Sequence, residues 1–152
     1  MSMEKPKIEF SDKEDRVSIT YKTDKGKVIV EFNQTSNNYH DEAGTYINDK
    51  YLHAKIFTTG PLGMVKKEKI ALNKKVFHSE NTGISGRTYE ETGSINFFEN
   101  IKSTEFHHDD KNIEALIKNA KKDIAKEIPN EIQRRNLSTM LRAAMEKQID
   151  TP

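Results

Sequence analysis

The chain contains no cysteine. Disulfides, thiolate metal sites and cysteine nucleophiles are therefore excluded, and packing and hydrogen bonds alone must hold the fold. It also lacks any apolar run near the ~20 residues a membrane helix needs, and its opening residues lack the apolar stretch of a signal peptide. A cytoplasmic location without membrane attachment is the expectation, with residues 1–6 a flexible extension in which Met3 is the natural start. Excess charge of one sign is missing too, because 25 Lys and Arg stand against 24 Asp and Glu for a net charge of +1. A dedicated duplex-DNA binder carries a large cationic surplus, so any nucleic-acid site here has to be a local patch. Tryptophan is absent, which leaves Phe and Tyr to supply aromatic bulk.

What is present fits one domain, residues 7–149, in a chain of 152 residues. A chain of this size buries roughly two thirds of its unfolded surface. Apolar residues first recur with the strand period of two, at Ile8 and Phe10, at Val17, Ile19 and Tyr21, and at Val28, Val30 and Phe32. Thr23-Asp24-Lys25-Gly26 reads as a hairpin turn in which Gly26 takes positive φ. Residues 34–44, rich in Ser and Asn, show no period and predict an exposed loop. Residues 45–57 lean towards a strand. After a break at 58–63, Ile70, Leu72, Val76 and His78 suggest two short strands or one bent strand.

Residues 84–92 and 94–106 read as a hairpin about Glu91-Thr92-Gly93, with Gly83 to Arg87 a turn. From Ile113 the period becomes helical, and Asp109 or Asp110 is the expected N-cap. Pro129 predicts the end of one helix and the start of a second that carries Ile132, Leu137, Met140, Leu141 and Met145. Strands followed by helices, without βαβ alternation, predict an α+β fold: an antiparallel sheet of five to seven strands, then two C-terminal amphipathic helices packed on one face.

Three groups of residues attract functional interpretation. Tyr39, His40, Asp41 and Glu42 fall in the expected polar loop, a place where contacts and catalysis concentrate. The basic stretch of Lys66, Lys67, Lys69, Lys74 and Lys75 is either a binding patch or a solvated sheet edge kept from aberrant pairing. Arg134, Arg135 and Arg142 add charge to the last helix, and together with those lysines would serve a nucleic-acid binder. His107, His108, Asp109 and Asp110 are the densest group of potential metal ligands, and the alternative there is helix capping. His53 and His78 fall in strand-like segments. With no nucleophile elbow, phosphate loop or other assembled motif, no cofactor and no enzymatic activity are expected.

A small, single-domain, cysteine-free chain rich in Lys, Asn and Ile and without catalytic signatures resembles, in overall make-up, the small inhibitor proteins of phages and mobile elements of the anti-CRISPR kind. That resemblance implies a rigid scaffold that binds a host protein, such as a CRISPR nuclease, and blocks it sterically. Tyr39 to Glu42 and the Lys66 to Lys75 stretch would form its contact surface. A DNA- or RNA-binding accessory protein and a metal- or His-dependent enzyme are the alternatives.

Overall fold

The computed structural model describes residues 5–60, 65–82 and 89–150. The turn expected at Gly83 to Arg87, most of the break at 58–63, Met1 to Met3 and the side chains of Lys66 and Lys69 lie outside the described residues. Six strands, β1 (Lys7–Phe10), β2 (Arg16–Thr23), β3 (Gly26–His40), β4 (Tyr46–Thr59), β5 (Val65–Asn81) and β6 (Tyr89–Gly93), form one antiparallel meander in chain order. Two helices follow, α1 (Phe97–Ser103) and α2 (Lys111–Asp150). The α+β architecture with helices on one face of an antiparallel sheet is thus as the strand-then-helix pattern predicts.

Alternation places the core. Val17 and Ile19 on β2, Val30 and Phe32 on β3, and Leu52, Ala54 and Ile56 on β4 share one buried face. Against it lie Phe97 and Ile101 of α1, Phe106 of the connector, and Ile117, Ala120, Ile124 and Ile128 of α2, which recur at three and four residues along one helix face. Gly26 closes the β2–β3 hairpin at φ 140°, where an added Cβ would lie 2.0 Å from the Thr59 carbonyl oxygen.

Three local expectations are corrected. Residues 34–40 are not a loop but the second half of β3, paired from Gln34 opposite Leu52 to His40 opposite Tyr46. Beyond Asn33 this strand has no β2 neighbour, so it is a polar sheet edge, and with no core against either face its sequence carries no period. Only residues 41–45 turn, organised by Asp41, whose Oδ1 accepts from the Ala43 and Thr45 amides at 2.9 Å.

Residues 94–106 are not a strand. Asn96 caps α1 by accepting from the Glu99 amide at 3.1 Å, and Phe97 and Ile101 are buried at helical spacing while Ile95 is exposed. β6 pairs instead with the end of β5. The predicted break at Pro129 is absent as well, because α2 runs through it for 40 residues.

Proline there removes the amide that would donate to the Ala125 carbonyl. The helix is anchored on both sides of the gap. Ile128 is in the core, and buried Glu131 holds Arg134 at 2.6 Å and Arg135 at 2.8 Å, while Arg134 also reaches Asp12 at 2.8 Å and Arg135 donates to the Ser11 carbonyl at 3.1 Å. Because the flanking contacts carry the helix, Pro129→Ala is expected to raise stability by about 1–3 kcal/mol in urea unfolding. A loss of stability would instead mean that the contacts of Arg134 and Arg135 need a bend at this position.

Candidate functional site

The connector from Thr104 to Asp110 is tied down by its ends. Phe106 is buried and its ring meets Phe32 at 5.7 Å between centroids, while Asp110 caps α2 by accepting from the Asn112 amide at 2.9 Å. The Thr104 carbonyl accepts from Lys121 at 2.7 Å, and the Glu105 carbonyl from Lys74 of β5 at 3.1 Å. Held in this way, the connector and the last turn of α1 form one wall of a groove of about 600 Å³ whose other wall is α2.

Five lysines line that groove, Lys102 from α1 and Lys118, Lys121, Lys122 and Lys126 from α2, with Phe106 and Ala125 as its apolar part. Glu105 is the single carboxylate of the lining, and its Oε2 lies 3.7 Å from His107 Nε2. Two of the lysines have partners, Lys121 at Thr104 and Lys118 at Glu114, 2.8 Å away. Glu114 also accepts from the His108 amide at 3.2 Å, and the Lys118 bond followed by that amide bond holds its carboxyl down to about 2. Lys102, Lys122 and Lys126 have no partner among the described residues. Ammonium groups on long flexible stems around an apolar strip make a site for an extended anion that also carries an apolar group.

A second polar cluster spans β4 and β5. Asp49, 2% exposed, accepts a short hydrogen bond from His78 Nδ1, and its other oxygen lies 3.6 Å from Lys75 Nζ. His78 Nε2 lies 3.0 Å from Glu80 Oε1. With a carboxylate on each ring nitrogen, the imidazole is held as a double donor, and the bond to Asp49, then that to Glu80, raises its pKa above the ordinary 6.5. A ring with both nitrogens donating has no lone pair with which to act as a base, so this cluster is a cross-strand clamp.

A raised folded-state value gives stability that is fully present below about 6.5 and lost as pH climbs through the higher value. The melting temperature is therefore expected to fall between about pH 6 and about pH 9, and His78→Gln to flatten that decline. An unchanged slope in the variant would remove His78 as its origin.

The residues singled out in the sequence are dispersed. Tyr39 and His40 end β3, with the His40 and Tyr46 rings 5.2 Å apart, Asp41 builds the turn, and Glu42 is exposed. Along β5, Lys67 is exposed, Lys74 reaches the connector, and Lys75 lies against Asp49 and over the Tyr51 ring at 5.8 Å, so neighbouring lysines serve opposite faces. Arg134 and Arg135 are committed to Glu131, and Arg135 also stacks on Phe98 at 5.2 Å, whereas Arg142 is exposed far along α2.

His107 and His108 do not converge with Asp109 and Asp110. Asp110 serves as the helix cap, its amide donating to His108 Nδ1 at 2.8 Å, and no group of three or more potential ligands that could hold a metal occurs among the described residues. His53 bridges Thr35, at 2.7 Å, and Asn73.

The groove lysines were missed from sequence, although a signal was there: Lys118, Lys122 and Lys126 repeat every four residues, one polar stripe beside the core stripe of α2. No helix among the described residues is long and apolar enough to cross a membrane. Comparison of the chain with protein-family models, with curated proteins and with solved structures returns no match.

Proposed function

We propose that this protein is a non-catalytic binding module whose lysine groove receives an acidic, partly apolar segment of another protein. The observation that carries it is five lysines about one groove with a single carboxylate in the lining. In its narrower form the module is a phage or mobile-element inhibitor that sterically blocks a host nucleic-acid-processing enzyme such as a CRISPR nuclease, a form supported by the overall make-up of the chain. Nucleic acid in the same groove is the second possibility, favoured by the lysines themselves. Against it, Phe106 is 4% exposed, so its ring offers no open face for a base, and Tyr39, Tyr46 and Tyr89 line no part of the groove.

Fluorescence anisotropy separates the two. A labelled Glu-rich peptide with one Leu or Phe anchor is expected to bind with a shallow salt dependence. A single-stranded oligonucleotide is expected to bind more weakly and to lose affinity steeply, with a log–log slope of about −0.7 per phosphate contacted. Tighter binding of the oligonucleotide would transfer the groove to nucleic acid, and binding of neither would leave the groove without a role. Titration into a CRISPR nuclease cleavage assay tests the narrower form, for which cleavage should fall stoichiometrically.

A further inference from the structure

Along α2 after Glu131, from Ile132 to Lys147, every residue but Arg135 is exposed. Sixteen residues of helix, about 24 Å at 1.5 Å each, therefore extend past the sheet. A helix segment of that length without tertiary packing is marginal in water. Yet this one carries Leu137, Met140, Leu141, Ala144 and Met145, at spacings of three and four, with the four large side chains 57–69% exposed.

The stripe does not continue the core face. At about 100° per residue its centre lies roughly 140° round the helix from Ile117, Ala120, Ile124 and Ile128. The direction that faces the sheet is taken in this half by Arg135, Ser138 and Arg142. Folding back onto the chain's own sheet is thereby excluded, and the stripe needs a partner from outside.

We propose that the partner is a second copy of this chain, docked through the same stripe in an antiparallel helix pair about a two-fold axis near Leu141. Two such stripes together bury on the order of 1,000 Å², the lower bound for a specific interface and a size suited to a reversible dimer. Charge permits it. Arg134 is already neutralised by Glu131 and Asp12, and the remaining flank carries one cation, Arg142, and one anion, Glu146, along a shallow hollow that also exposes Leu137, Leu141 and Met145. A nearly neutral flank beside an apolar stripe meets its own copy without repulsion, and antiparallel pairing sets Leu137 near the partner's Met145. The surface is distinct from the lysine groove, so either site can fail alone.

Sedimentation equilibrium of the full chain across about 1–300 μM tests the proposal. The weight-average mass should rise towards twice the chain's 17.5 kDa, and Leu141→Arg should raise the dissociation constant at least about tenfold without lowering the melting temperature of the sheet domain. In this cysteine-free chain, Leu141→Cys should oxidise to a covalent dimer much faster than Ala143→Cys, which lies off the stripe. A constant monomer mass over the whole range, a dimer indifferent to Leu141→Arg, or equal cross-linking at 141 and 143 would each overturn it.

Discussion

Phe32→Ala is expected to destabilise the fold by about 3–5 kcal/mol, enough to unfold a large share of a domain of ordinary stability at room temperature. Phe32 is fully buried on β3, with strands on both sides, and it is the largest completely enclosed side chain of the protein. Its ring contacts Phe106, the residue that seats the connector against the sheet. The cavity left behind has β-sheet on one side and α2 on the other, neither of which can collapse into it without breaking register, so the cost falls towards the upper part of that range. Urea unfolding followed by circular dichroism gives the value directly. A cost below about 1 kcal/mol would show that the connector, rather than the sheet, governs packing at this point. Tyr39→Ala, on the polar edge, serves as the contrast and should change stability by no more than about 0.5 kcal/mol.

The contrast between Phe32 and Tyr39 also marks how far the sequence could be read. Where a strand has a core on one face, the period of two is imprinted on it, as at Val17 and Ile19 or Val30 and Phe32, and those elements were legible. The same strand two turns of pleat later runs along an open edge at Ser36, Asn37 and Asn38, where pairing with Lys50, Asp49 and Asn48 supplies structure that leaves no trace in hydrophobicity. α1 was hidden differently. Seven residues are too few to establish a 3.6-residue period, and Ile95 beside Phe97 imitates alternation; only the cap at Asn96, accepting from Glu99, distinguishes a helix there.

At Pro129 the local rule was sound and the tertiary structure overrode it through Ile128 and Glu131. The candidate site was less legible than the fold because it joins residues distant in the chain. Lys102 is brought beside Lys122 and Lys126 only by the turn through Phe106, whereas Lys74 and Lys75, adjacent in sequence, are parted by the strand's own alternation. Runs of charge were visible, and convergence of charge was not.

That convergence gives the second large effect. Lys122→Glu combined with Lys126→Glu is expected to weaken binding of the acidic peptide by about 1–4 kcal/mol, from about fivefold to several hundredfold. Loss of one exposed ion pair costs about 0.2–1 kcal/mol, reversal adds a repulsion of similar size, and two positions double the sum. Both side chains are exposed and without partners among the described residues, so the fold should be unaffected and circular dichroism unchanged.

The control is Lys13→Glu with Lys25→Glu, which alters net charge equally but lies in the β1–β2 loop and the β2–β3 turn. If long-range attraction alone drew the peptide, both double variants would weaken it alike. If the groove holds it, only the first should do so, and the difference should shrink as salt rises past the range where the Debye length falls below about 8 Å. The part of the affinity that survives high salt measures the apolar strip of Phe106 and Ala125. An apolar anchor on the peptide should raise that residual part, while an anchor without effect would reduce the groove to a purely electrostatic surface.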